Sequence, residues 1–319
     1  MSKPAEAMSQ DAAMRRAAAA AEFDRRDASW WMDRIAQGCV FAGGISAIVF
    51  IVGILAFIAT QGMEFAANRL SWTEFFGSIA WRPNGHPPQY GALALIAGTA
   101  SITAVAMALV VPLSLGAAIY IGEFARGKTR EWLKILIELL AAIPSVVWGV
   151  IGLNVMGPLM TDVFGVPSGL NLLNAGIILG LMAAPIMTTI AEDALKAVPD
   201  TYREAAEALG ATKWQVVLRV VLPHARPGLS AAVLLGVGRA FGETIAVLMA
   251  SGHAITVPDS LFDSVRSLTA TIASELGETA HGDDHYQALF VLGMLLFAIT
   301  FAINLTADSI VRGIRRKKA

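Results

Sequence analysis

Three places in this chain set reactive side chains at spacings that chemistry uses. Gly122–Thr129 reads GEFARGKT and fits the phosphate-cradling pattern G-x-x-x-x-G-K-[ST]. Arg239 and Glu243 stand at i and i+4 in GRAFGET, Gly238–Thr244, within an otherwise apolar run. His281-Gly-Asp-Asp-His285 gathers residue types that bind metals.

A phosphate loop works when a strand delivers a small-residue turn onto a helix start, so that backbone N–H groups surround the phosphates. Here an apolar run precedes Gly122, Glu123 would repel phosphate, and Phe124 would crowd the cradle. No later strand ends in an aspartate suited to magnesium, and no stretch remains to build an α/β domain. GEFARGKT is therefore read as a short cytoplasmic turn between two spans, with Arg126, Lys128 and Arg130 as orientation signals. His281–His285 has no further ligands near it, and a metal site is made by geometry rather than composition. No metal is assigned; the loop is read as a solvated surface that meets an external binding protein.

The elements that carry these residues belong to a membrane. Of 319 residues, 55% are hydrophobic and 15% charged, against about a quarter charged in soluble domains; mean hydropathy is +0.60. A formal net charge of −1 leaves no footprint for nucleic acid. Cys39 is the only cysteine, which excludes an intrachain disulfide. Six apolar runs reach the length a bilayer demands: Ile35–Thr60, Gly91–Ile121, Ile135–Met160, Asn171–Ile190, Gly228–Ser251 and Tyr286–Ala307. The second is long enough that it must tilt, kink at Pro112 or continue past the lipid. Pro144 and Pro185 are expected to kink their spans. The predicted fold class is an all-α polytopic membrane protein with six transmembrane helices.

Lysine and arginine give the orientation. Residues 1–34 hold six, 122–134 four, 191–227 five and 308–319 five, while the alternate loops hold only Arg69, Arg82 and Arg266. This positive-inside bias places both termini in the cytoplasm. Residues 1–34 are read as a retained Ala-rich segment, disordered or a surface helix, with Trp30 and Trp31 at the interface. Residues 35–60 form the first span, 61–90 an external loop, 91–310 the main membrane domain and 311–319 a basic tail.

The longest internal cytoplasmic segment, Ala191–Gly228, reads as two short helices. Thr201 with Glu204 forms a capping box, and Tyr202, Ala205, Ala206 and Leu209 give an apolar stripe. Gly210 takes the left-handed conformation that ends a helix. Thr212 caps a second helix carrying Trp214, Val217 and Leu218, which Pro223 closes. The exposed apolar side fits a partner's groove, and it equally fits a helix pair lying on the membrane or under the bundle.

A resemblance separates these readings. Glu204-Ala205-Ala206, Gly210 and Val220-x-Leu222-Pro223 resemble the EAA loop of binding-protein-dependent ABC importer permeases, with valine for the usual isoleucine. In that family the loop docks onto the ATP-binding subunit and transmits its closure to the spans. The resemblance carries that role onto Glu204, Ala205, Ala206, Gly210, Leu222 and Pro223. It implies a type I (MetI-like) permease bundle with cytoplasmic coupling helices, and ATP and magnesium held by a partner ATPase dimer rather than by this chain.

Arg239 and Glu243 share one helical face and can pair. Such a pair either fixes helix register or marks a substrate route, and the insertion cost of an arginine, roughly 2.5–3.5 kcal/mol, favours the route. Glu138 is read as a surface-end partner of Lys134. The wider pattern of WRP at Trp81–Pro83, YG at Tyr90–Gly91, IELLAAIPSVVWG at Ile137–Gly149, RAFGET and GETAHGDDHYQALF at Gly277–Phe290 resembles the phosphate-specific importer permeases of PstC type. It runs from about Trp81 to Asp308. It implies a bacterial inner-membrane subunit that pairs with a PstA-type permease and receives phosphate from an external phosphate-binding protein. Roles in passing phosphate carry onto Arg239 and Glu243, with Thr244 beside them. Three rival readings remain: a permease for another oxyanion, a self-sufficient secondary transporter or channel, and a membrane enzyme. The last is opposed by the lack of any span with a His/Asp/Glu cluster at helical spacing.

Overall fold

The computed structural model describes residues 28–316, so the reading of residues 1–34 falls outside the described residues as far as residue 27. The chain divides into two compact units, residues 1–57 and 58–319.

In the first unit, helix α1 (Ala28–Asn68) begins. Its apolar residues point outward on every side, with Val40, Phe41 and Phe50 each at least 70% exposed. A helix apolar all round requires lipid or neighbouring helices. At its start the rings of Trp30 and Trp31 meet edge to face at 5.1 Å, and the Arg34 guanidinium lies 4.9 Å from the Trp30 ring. That combination of aromatic and charge suits a headgroup boundary.

The second unit is helical apart from one hairpin. After α1 ends come α2 (Trp72–Gly77), capped by Ser71, and strands β1 (Trp81–Arg82) and β2 (Gln89–Tyr90), antiparallel with Trp81 opposite Tyr90. The long helix α3 (Leu93–Ile119) passes through Pro112 and continues by a wide turn, Tyr120–Phe124. The helix therefore does not break at Pro112. Next come α4 (Gly127–Ala142), α5 (Ser145–Ile151), α6 (Gly157–Phe164) and α7 (Leu172–Lys196). The order closes with α8 (Asp200–Ala208), α9 (Lys213–Val216), α10 (Leu222–Phe241), α11 (Ile245–Ala250), α12 (Leu268–Glu275) and α13 (Asp284–Arg316).

Six helices among the described residues are long and apolar enough to span a membrane, as expected. Several boundaries differ from expectation, and the first span runs on past Thr60 to Asn68, into the expected external loop. The third run does not form one helix from Ile135: α4 ends at Ala142, Ile143 and Pro144 are extended, and the span is Ser145–Phe164. Proline disfavours helical geometry in the residue before it and has no N–H to continue the ladder, so Pro144 starts a helix instead of kinking one. The fifth span runs from Lys213 to Phe241 and stops short of the expected Ser251. Pro185 does lie inside α7.

α3 and α7 form the central pair of the bundle. Their approach is possible because Gly176 faces α3; a Cβ there would stand 2.4 Å from Val105 Cγ1. Close backbone contact through small residues replaces the hydrophobic drive that lipid removes. Around this pair lie three apolar clusters: Ile102, Trp148, Ile178 and Val247 in one; Phe65, Trp81, Leu268 and Leu289 in another; Val110, Met187, Leu195 and Val221 in the third. The third cluster sits toward the face carrying residues 120–134 and 196–227, called the basic face below.

Candidate functional site

The helix pair on the basic face forms, but by different local signals than expected. Thr201 and Glu204 make no capping box; Pro199 occupies the N-cap of α8 and offers no side-chain bond. Because the helix already begins at Asp200, Thr201 lies inside the first turn rather than at the N-cap that a capping box requires. Gly210 does adopt φ +79°. Thr212 caps α9, with Gln215 N–H donating to Thr212 Oγ1 at 3.4 Å and Thr212 N–H donating to Gln215 Oε1 at 2.9 Å. Pro223 does not close the unit. A wide turn, Val217–Val221, carries α9 into α10, where Leu222 and Pro223 occupy the first turn and a missing N–H is tolerated. The second helix and the fifth span are therefore one rod from Lys213 to Phe241.

The apolar stripe splits between two environments. Ala206, Ala211 and Val216 pack onto the third cluster, and the Tyr202 ring lies 4.8 Å from that of His224. Glu204, Ala205 and Gly210 are exposed, and Leu209 is 90% exposed. The pair thus rests on the bundle by one side and presents its motif residues on the other.

At the far end of the rod, Arg239 and Glu243 do not pair. α10 ends at Phe241 and Gly242 leaves the helix, so the i, i+4 geometry lapses before Glu243. Glu243 lies in the break between α10 and α11, where its Oε1 accepts from Ala246 N–H at 3.3 Å and its carbonyl accepts from Thr269 Oγ1 at 2.7 Å. Thr244 donates to Gly242 O at 3.4 Å. Thr99, Thr103, Ser267 and Thr269 line a small gap beside Glu243. Arg239 is exposed, and among the described residues no ion pair or hydrogen bond holds its guanidinium. The break thus sets a tethered carboxylate among hydroxyl groups, about one helical turn beyond an unengaged guanidinium.

Lys134 does not pair with Glu138, contrary to expectation. It reaches Glu192 on α7 at 3.3 Å, joined by Arg130 at 3.3 Å and Lys196 at 2.5 Å. The Glu192 side chain is 5% exposed, whereas Glu138 is exposed. A buried carboxylate is the stronger attractor for a cation because little water competes. This cluster fastens α4 to α7.

The opposite face holds a network that sequence reasoning missed. Glu275 accepts from Arg266 Nη1 at 2.7 Å, Trp81 Nε1 at 2.9 Å and His285 Nε2 at 2.9 Å. Arg266 Nε–H in turn donates to His253 Nε2 at 2.7 Å. Burial first, and then the nearby Arg266 charge, pulls the His253 pKa from 6.5 down to about 4. Glu275, Arg266, His253 and His285, with Arg82 and Asp283, line a cavity of about 900 Å³. His285 is therefore buried rather than solvated, while His281 stacks on Tyr286 with ring centroids 4.9 Å apart. No local spacing joins Trp81, Glu275 and His285, so only the fold could bring them together.

Gly122–Thr129 is, as expected, a turn: it ends the wide turn after α3 and opens α4, with Gly127 at φ +54°. No strand delivers it.

Comparison with known proteins places these features in context. Residues 111–318 match the family described as binding-protein-dependent transport system inner membrane component. The chain is 37% identical over 263 residues to the "Probable ABC transporter permease protein YqgH" of Bacillus subtilis, covering 82% of this chain and 85% of the relative. It is 36% identical over 283 residues to the "Phosphate transport system permease protein PstC" of Mesorhizobium japonicum, covering 83% and 82%. In fold it resembles a solved chain of a bacterial ABC transporter for alginate import, at TM-score 0.62 and 15% identity over 90% of this chain and 99% of the other. A chain of the MetNI methionine ABC transporter aligns at TM-score 0.55 and 23% identity over 68% and 93%.

Proposed function

The chain belongs to the family of binding-protein-dependent transport system inner membrane components, and on that premise we propose that it is the PstC-type permease subunit of an ATP-driven phosphate importer. In this reading it pairs with a PstA-type permease, engages an ATP-binding dimer through the α8–α9 loop, and receives phosphate from an external binding protein. ATP and magnesium belong to the ATPase, and both termini of this chain lie in the cytoplasm.

The observation that supports the reading is the uninterrupted rod from Lys213 to Phe241. Just before one end stands the EAA-type motif, with Glu204, Ala205 and Gly210 exposed and Ala206 packed on the bundle, while Leu222 and Pro223 lie inside the rod itself. The other end carries Arg239 and the break at Glu243 and Thr244. A rigid element joining a docking loop to an intramembrane charge is what coupled transport requires. Arg239 offers a free fork for two phosphate oxygens. Glu243, with Oε1 bound to Ala246 N–H, has Oε2 left to accept the proton that monohydrogen phosphate carries and sulfate lacks. A route must also release its ion, which argues for few, weak contacts.

Uptake of phosphate in proteoliposomes holding the whole complex tests this. Arg239→Gln should cut uptake by at least about tenfold, a loss of about 1.4 kcal/mol, with ATPase association intact. Sulfate should compete poorly, and less poorly in Glu243→Gln. Normal uptake in Arg239→Gln, or uptake by the permease pair without its ATPase, would remove the proposal.

A further inference from the structure

We propose that Arg203 is the positioning residue through which motion of the α8–α9 loop enters the second span, with Glu123 as its receptor. The inference rests on the reading of that loop as the ATPase dock. It also assigns a purpose to Gly122–Thr129, whose likeness to a phosphate loop explained nothing about it.

The geometry is complete at the level of single hydrogens. Arg203 Nε donates to Glu123 Oε2 at 3.3 Å and Nη2 donates to Glu123 Oε1 at 2.8 Å, a bidentate fork. Nη2 also donates to Leu195 O at 2.9 Å, while Nη1 donates to Val198 O at 2.6 Å and to Asp200 Oδ1 at 3.0 Å. A guanidinium has five N–H groups, and all five are used. Leu195 and Val198 lie at and just beyond the end of α7, where helix carbonyls lack internal partners and a cation is favoured. One side chain on α8 thereby ties together the end of the second span and the end of the fourth. It is 17% exposed and Glu123 is 11% exposed, so the pair is held away from solvent. The hydrogen bond to Glu123 raises the already high Arg203 pKa, so the charge is permanent.

A second contact runs parallel to the first. The Trp214 ring on α9 lies 5.9 Å from Phe124, the residue after Glu123. Both helices of the loop therefore bear on the wide turn that follows α3. The contacts that Ala206, Ala211 and Val216 make with the third cluster are apolar and can slide. The fork cannot, because its bonds weaken steeply with angle. Lysine is a poor replacement: it has three donors and no planar fork.

The test uses the assembled complex, comparing Glu123→Gln, Glu123→Asp, Arg203→Lys and the double variant Glu123→Gln/Arg203→Lys. Two quantities are read: phosphate moved per ATP hydrolysed, and cross-linking of the ATPase to cysteine in Ala205→Cys, an exposed position. The cross-link should persist in Glu123→Gln while phosphate per ATP falls about tenfold, within the range of coupling free energies between sites. Glu123→Asp should recover part of the ratio, and the double variant should be no worse than the poorer single one. An unchanged ratio, multiplying effects in the double variant, or loss of the cross-link together with transport would overturn the proposal. If Glu123→Gln does not reach the membrane, Arg203→Lys decides by the same ratio. Absence of the cross-link in otherwise unaltered protein would instead refute the docking reading itself.

Discussion

Acid should loosen the face opposite the basic one, and His253 sets the pH at which it does. Arg266 Nε–H donates to His253 Nε2, which leaves the ring proton on Nδ1. A second proton would have to sit on Nε2, facing that guanidinium at 2.7 Å. The charged groups around the ring are Arg266, which opposes protonation, and Glu275, which favours it but is already bound by Arg266, Trp81 and His285. The folded pKa is about 4 against 6.5 for the free side chain. Between these values the unfolded chain binds the proton and the folded chain refuses it. The neutral ring therefore contributes stability fully above about pH 6.5, and that contribution is lost as pH falls toward 4. At about 1.4 kcal/mol per pH unit the full difference would be about 3 kcal/mol. The ring is only half-buried, and solvent screening brings this to about 1–2 kcal/mol. For a chain of this size that is a fall of about 2–6 °C in Tm. The assay is thermal unfolding in lipid nanodiscs from pH 7.5 to 4.5, with His253→Asn as the control. His253 sits at φ +62°, a conformation asparagine tolerates, so the variant removes the titration without straining the backbone. If both proteins lose the same Tm between pH 6.5 and 4.5, the reasoning is wrong.

Two further outcomes follow from the packing. Glu192→Gln leaves Arg130, Lys134 and Lys196 around a neutral side chain; because each cation is more than a third exposed and can turn to water, the loss should be about 1–3 kcal/mol rather than that of a fully buried pair. Limited proteolysis between residues 124 and 145 should accelerate, and an unchanged cleavage rate would show that the cluster does not fasten α4. Gly176→Val drives side-chain atoms into Val105, where a Cβ alone would stand at 2.4 Å; overpacking of about 1–3 kcal/mol should lower Tm, while Gly38→Val, with open space around it, should leave it unchanged.

The features legible in the sequence are local ones. Six apolar runs, the left-handed Gly210 and the Thr212 cap each follow from a few neighbouring residues, because lipid and backbone geometry act over one helical turn or one span length. The revised boundaries at Pro144 and Phe241 show where local signals compete. Pro144 was expected to kink a helix, whereas the extended backbone at Ile143 makes it the start of one.

What only the tertiary structure decided is which charged or polar group meets which. Spacing put Arg239 with Glu243 and Lys134 with Glu138, yet neither pair forms. The first is undone where the helix ends and Thr269 takes the Glu243 carbonyl. The second gives way to Glu192, a carboxylate buried between helices. Glu123 with Arg203, and Trp81 with Glu275 and His285, join segments whose separation along the chain leaves no periodic trace. Periodicity determines which face of a helix is apolar, and the resulting bundle brings distant polar groups together. In a low-dielectric interior each buried charge then takes the partner that the packing offers, not the one nearest in sequence.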